Sequence, residues 1–245
     1  METDRPFGLH RGAVSLTFDD GTENHLRNAI PPLDDLALKG TFYVHPRDRV
    51  MENYLVDWQG VARSGHEIGN HTLSHPCPET ILGSAGGLES MTLAEIEQDM
   101  LAAQKRLNQI APHQQHWTFA YPCYSTYVGR GVTRQSYVPV VAKHFLAGRA
   151  AGELGFANRP ERMDLACLWA TPAELLSGDE MIALVKRLTE RGQWVILVFH
   201  DIDGDLLNVP GRTYRKLLQF LSQERETIWT GTVSEIAAYL AAQPV

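Results

Sequence analysis

An α/β fold with a parallel sheet is what this 245-residue chain predicts, and three observations predict it. Short apolar runs alternate with helix-length segments along the whole chain, as in a parallel sheet with helical crossovers. The runs are apolar at nearly every position, as strands covered on both faces are. The polar residues of greatest chemical interest follow directly after such runs, where parallel folds build their sites. About seven strands can be counted, which suits an incomplete barrel or an open doubly wound sheet. No repeat or linker divides the chain, so residues 1–245 read as one domain.

The elements follow in order. Ala13–Phe18 is a buried strand ending in Asp19, Asp20 and Gly21, and a helix interrupted by Pro31 and Pro32 starts near Asn24. Thr41–Val44 is a β-branched and aromatic strand; Asn53–Ser64 has helical spacing and stops at Gly65. His66–Asn70 leads into His71, and a Gly- and Pro-rich loop runs from Pro76 to Ser90. Thr92 and Glu95 form a capping box that opens a long helix to Ile110. Trp117–Ala120, Leu146–Arg149, Leu165–Ala170, Trp194–Phe199 and Ile228–Thr230 are the later strands. Helices lie around Tyr137–Phe145, over Gly178–Gly192, and on either side of Ile228–Thr230.

Composition excludes some classes. With 44% hydrophobic and 21% charged residues the chain resembles an average globular protein. A net charge of -7 argues against a surface made for nucleic acid or anionic membranes. No apolar run is long enough for a membrane span, and the polar start METDRPFGLHRG is not a signal peptide. Cytoplasmic and secreted locations both stay open, as does the oligomeric state. The three cysteines, Cys77, Cys123 and Cys167, are too few for a disulfide framework. They read as ordinary buried thiols, except that a Cys77–Cys123 bridge would tie together two loops placed at the same mouth.

At that mouth, Gly21 permits a sharp turn, so both Asp19 and Asp20 can reach a site that strand alternation alone would deny to one of them. His71 and His75 are four residues apart; on a helical turn both imidazoles reach one ion. Leu73 and Ser74 leave no glutamate base between them, so Asp19 is the candidate base. Two histidines and a carboxylate with open positions suit catalytic zinc. His200 leaves the most apolar strand for this polar mouth, a natural place for a general acid. The remaining histidines read as surface or core residues, with His45 set apart because it also follows a strand.

Thr17-Phe18-Asp19-Asp20-Gly21, His71-Thr72-Leu73-Ser74-His75 and Leu197-Val198-Phe199-His200 together resemble the NodB-homology polysaccharide deacetylases, carbohydrate esterase family 4. The resemblance implies a distorted, incomplete (β/α)7-type barrel in a single domain. It implies a divalent metal, zinc first and cobalt or nickel next, on Asp20, His71 and His75. By position it makes Asp19 the base, His200 the acid and the Cys123 backbone N–H an oxyanion donor. The substrate it implies is an acetylated carbohydrate, N- or O-acetyl: chitin-type, peptidoglycan or xylan.

Two departures stand out. Ala120 replaces the family arginine that orients the base, and Arg149, past another strand end, is a candidate substitute. The usual Asp-x-x-Asp-Trp segment is missing, leaving Asp164 and Trp169 as loose counterparts and the partner of His200 unassigned. Specificity is expected in Pro76–Ser90, Tyr121–Val138 and Asp201–Arg212, with Tyr121, Tyr124, Tyr127 and Trp169 able to stack on sugars. Two rival readings are a metal-dependent hydrolase of small non-sugar amides and a non-catalytic carbohydrate-binding relative.

Overall fold

The computed structural model describes residues 6–243. Eight parallel strands make one sheet: β1 (Gly12–Phe18), β2 (Thr41–Val44), β3 (Glu67–Asn70), β4 (Thr118–Ala120), β5 (Ala147–Arg149), β6 (Thr171–Pro172), β7 (Trp194–Phe199) and β8 (Ile228–Thr230). Seven of them run in the order β5-β4-β3-β2-β1-β7-β6. β8 pairs with the first half of β1 on the side where β2 takes the second half. The path curls into a partial barrel. Its two edges are tied by one segment: Leu168 and Ala170 accept or donate to Gly148, Ala150 and Gly152, and Thr171–Pro172 pairs with β7.

Alternation sorts the side chains. Val14, Leu16 and Phe18 of β1 and Val195, Leu197 and Phe199 of β7 join the core under the helices. Ala13, Trp194, Ile196 and Val198 fill the inside. The interior is partly polar, with Glu67 at the centre of a hydrogen-bonded group. Buried Glu67 accepts from Thr41 (2.8 Å), Thr118 (2.5 Å) and the Ser234 backbone N–H (2.9 Å) at the start of the helix Val233–Ala241. Tyr43 donates or accepts at Thr118, and Gly69 leaves room for its ring, since a Cβ there would lie 2.2 Å from it.

Several expectations need correction. Leu165–Ala170 is not a continuous strand: Leu165–Cys167 is a 3-10 turn capped by Asp164, and only Leu168 bridges to Arg149. Its apolar run reflects burial at the barrel seam rather than ladder pairing. The helix after Asn24 begins as a π-helix, His25–Ala29, before Ile30–Asp35. The helix at Asn53–Ser64 is Leu55–Arg63, and a further helix, Asp48–Asn53, precedes it. The capping box at Thr92 is formed as expected and opens Leu93–Ile110.

The Glu67 network generates a stability prediction. Glu67→Ala strands three buried donors and should cost roughly 3 kcal/mol in denaturant unfolding. Glu67→Gln should cost less, because a threonine hydroxyl can turn to accept from the amide. Equal losses in the two variants would mean that packing, not hydrogen bonding, dominates at this position.

Candidate active site

The alternation that fills the barrel also loads its mouth. Asp19, His45, His71, Arg149 and His200 each stand at or just past the C-terminal end of a strand, in the inward phase. Asp20 reaches the same place only because the chain turns sharply after it, with Asp20 at φ 78° and Gly21 at φ 60°. Glycine adopts that conformation freely; Asp20 holds it at a cost of about 1–3 kcal/mol.

Asp19 and Arg149 are buried and bonded to each other, guanidinium Nη2 to carboxylate Oδ1. Arg149 lies over the rings of Tyr43 (5.1 Å) and Tyr124 (5.5 Å). Burial pushes the Asp19 carboxyl up, but Arg149, His71 and His200 outweigh it and hold the group at about 2. Its second oxygen is 3.9 Å from both His71 Nε2 and His200 Nε2.

Asp20, His71 and His75 bring one ligand atom each to within 4.8 Å of one another. Asp20 Oδ1 is 3.6 Å from His71 Nε2 and 3.3 Å from His75 Nε2, and the two ring nitrogens are 3.2 Å apart. His71 Nδ1 donates to the Ala120 carbonyl (2.9 Å), which leaves Nε2 as a bare lone pair. Burial holds His71 well below its ordinary value, so it is neutral, the ligating form. Burial and the neighbouring Asp19 push Asp20 up. Crowded carboxylates facing two imidazoles are a donor set that fits a divalent cation. His45 Nε2 lies 3.8 Å from Asp20 Oδ1, beside this set.

The helical turn expected at residues 71–75 does not form. Thr72 (φ 61°) and His75 (φ 54°) are left-handed, and side chains build the turn instead. Asp99 accepts from the Leu73 and Ser74 N–H groups (2.9 and 3.1 Å), Asn70 from Thr72 (2.9 Å) and Thr72 Oγ1 from His75 (3.0 Å). The spacing is right for a shared ion; the geometry that achieves it is irregular.

His200 is flanked by Glu174, whose Oε1 is 3.7 Å from His200 Nδ1, an ion-pair separation longer than a hydrogen bond. Burial lowers the imidazole, but Glu174, Asp19 and Asp20 together raise it above its ordinary value. Sequence reasoning missed Glu174, which sits on the turn Ala173–Leu175 just past β6. The signal was available: an acidic residue beyond an apolar run, the rule that singled out the others. Asp164 is instead the cap of its own turn, donated to by Ala166 N–H at 2.9 Å.

Cys77 and Cys123 are joined in a disulfide, Cα–Cα 5.5 Å, and Cys167 is free. The bridge holds the loop after His75 to Cys123 and Tyr124, both left-handed (φ 49° and 57°). Tyr124 packs edge-on to His200 at 6.2 Å. Tyr121 is fully buried with its hydroxyl on the Ala166 carbonyl (2.6 Å), so it is a packing residue and not a sugar platform. Tyr127 is exposed beneath Arg134, and Trp169 is exposed against Phe156.

Two predictions follow from this geometry. Glu174→Gln removes a charge that favours the imidazolium, so His200 should titrate at lower pH, followed by NMR of its ring protons; an unmoved titration would remove Glu174 as its partner. Cys77→Ser opens a loop of sequence separation 46. Unfolding should become easier by about 2–4 kcal/mol, and an unchanged midpoint would mean the bridge stabilises nothing.

Comparison with known proteins fits this arrangement. Residues 8–134 match the family model described as polysaccharide deacetylase. A gellan lyase from a Bacillus species is 26% identical over 259 aligned positions, 93% of this chain but only 9% of that protein's length. A family 4 acetyl xylan esterase from Clostridium thermocellum, in complex with a cobalt ion, superposes with TM-score 0.59 at 20% identity, over 92% of this chain and 90% of that one. Peptidoglycan deacetylase PdaC from Bacillus subtilis does so with TM-score 0.57 at 16% identity, over 93% and 91%. At such identities the structural likeness speaks for the fold. The family match covers just over half of the chain, and the chain belongs to the polysaccharide deacetylase family.

Proposed function

We propose that this protein removes acetyl groups from a carbohydrate in a metal-dependent hydrolysis, with Asp19 as general base and His200 as general acid. One observation carries the reading: Asp19 Oδ2 stands 3.9 Å from His71 Nε2 on one side and 3.9 Å from His200 Nε2 on the other, next to the Asp20–His71–His75 donor set. A proton acceptor and a proton donor thus flank the place where an acetyl group would be attacked.

Asp20, His71 and His75 would hold the ion, and a bound divalent metal there supplies Lewis acidity to the acetyl carbonyl and to water. Asp19 is ionised across the neutral range, so its acceptor form is present without titration. Arg149 fixes one of its oxygens and leaves the other directed at the site. The Cys123 N–H, in the loop pinned by the disulfide, is the backbone donor for the oxyanion. His200 in its imidazolium form delivers a proton to the departing amine or alcohol. Because carboxylates raise His200, that acid form persists to higher pH than in an ordinary histidine. Hydrolysis should therefore fall only on an alkaline limb set above the usual histidine range.

The acyl acceptor is a sugar bearing an N- or O-acetyl group. The structural neighbours named above include an acetyl xylan esterase and a peptidoglycan deacetylase, which bracket both chemistries. No helix among the described residues is long and apolar enough to cross a membrane.

Acetate release from chitooligosaccharides, peptidoglycan fragments and acetylated xylan tests the proposal, using protein stripped by chelator and reloaded with zinc. Zinc-restored release is expected from one of the three. Asp19→Asn should lose about 100–10,000-fold in kcat with zinc retained, whereas His71→Ala should lose zinc and turnover together. Full activity in Asp19→Asn, or release undiminished by the chelator, would contradict the assignment.

A further inference from the structure

His25 is the one fully buried histidine that faces the acid from below, and no role in the reaction described above uses it. Its side chain is completely enclosed, and its Nε2–H donates to the backbone carbonyl of His200 at 2.8 Å. The ring packs edge-on to Phe18 (5.6 Å) and tilted against Phe42 (6.0 Å). Phe18 in turn stacks on Phe199 at 5.2 Å. These two phenylalanines directly precede Asp19 and His200, and Asp19 N–H donates to the Phe199 carbonyl at 2.9 Å. One imidazole therefore braces the pair of strand ends that carry the base and the acid.

His25 does not act alone. It opens the π-helix His25–Ala29, and three residues on, Asn28 Nδ2 donates to the Ile202 carbonyl at 2.8 Å. The two carbonyls clamped this way lie on either side of Asp201, where the chain leaves β7. A π-turn is wider than an α-turn and is found as an isolated insertion, frequently at functional sites. Here it spreads two donors across the exit that orients His200. His25 Nδ1 has no partner and is enclosed, so protonating it would bury an uncompensated charge. The group stays a neutral donor, excluded from proton transfer by its surroundings.

We propose that His25, with Asn28, is a positioning residue for the reaction: the π-helix clamps the His200 and Ile202 carbonyls and thereby sets the direction of the His200 ring. This rests on the reading of His200 as the acid. The orienting contacts of that ring are loose, Glu174 at 3.7 Å and Asp19 at 3.9 Å, so its aim depends on the backbone beneath it. A displacement near 1 Å is enough to cost about 100-fold in rate.

The test compares His25→Phe, which keeps a ring but has no donor, with His25→Gln, which keeps an N–H, and with Asn28→Ala. Each is zinc-loaded full-length protein assayed for acetate release, with kcat, KM and the alkaline limb measured separately. His25→Phe should lose about 10–100-fold in kcat, with KM within about twofold, zinc content unchanged and the alkaline limb moved. His25→Gln should recover part of the loss, and Asn28→Ala should show a smaller loss of the same kind. A His25→Phe protein that folds and keeps wild-type kcat and pH profile would overturn the proposal, as would one no worse than His25→Gln. If His25→Phe does not fold, Asn28→Ala decides: an unchanged kcat and limb there also overturns it. Wild-type protein that releases no acetate refutes the deacetylase reading instead; the clamp is then judged by NMR titration of the His200 ring, which must differ between wild type and Asn28→Ala.

Discussion

The buried pair between Asp19 and Arg149 is the constraint around which the mouth of this barrel is arranged. A carboxylate enclosed at this depth must be neutralised or ionically paired, since an unpaired buried charge is prohibitively costly. Arg149 supplies the pairing, and the aromatic faces of Tyr43 and Tyr124 cover its guanidinium. Gly69 gives Tyr43 its space, and the disulfide loop gives Tyr124 its place. With one oxygen of Asp19 committed to Arg149, the other is left between His71 and His200. The direction of the free Asp19 oxygen follows from this buried pairing.

The position of Arg149 also explains the departure at Ala120. In the parallel pairing of β4 with β5, Ala120 is directly opposite Arg149. The two residues share a register position and the same inward phase, one strand spacing of about 4.8 Å apart. A guanidinium rooted on β5 thus covers the same ground as one rooted on β4, and alanine's small side chain leaves the path open. The Ala120 carbonyl meanwhile accepts from His71 Nδ1, so that strand end keeps a role in orienting the His71 ring. Backbone strain gathers around these groups: Asp20, Thr72, His75, Cys123 and Tyr124 all have positive φ. Such strain persists only where the surroundings fix it. Here the barrel wall, the Asp99 and Asn70 hydrogen bonds and the disulfide do so.

Much of this was legible because strands of a parallel barrel announce themselves as apolar runs, and the residues after them must converge. Asp19, Asp20, His71 and His200 were placed by that rule, His75 by its spacing from His71, and Arg149 through the arginine missing at Ala120. Glu174 was missed because the strand before it was taken to end at Ala170, whereas the paired residues are Thr171–Pro172, which put Glu174 just past the strand end. The turn holding His75 was misjudged for a related reason. Spacing of four suggests a helical face, but Asn70, Asp99 and Thr72 reach the same ligand separation through side-chain bonds that no periodicity encodes. Likewise, the bond from His25 to the His200 carbonyl joins residues 175 apart in sequence, a contact that only the folded sheet creates.

The most direct test of the account is Arg149→Met, which keeps an apolar side chain of similar length but removes the guanidinium. Measured on zinc-loaded protein, acetate release should fall by at least about 100-fold while zinc stays bound. The Asp19 carboxyl should also titrate at higher pH, because the cation that holds it near 2 is gone. An Arg149→Met protein with wild-type turnover and an unshifted Asp19 would contradict the claim that this pair organises the site.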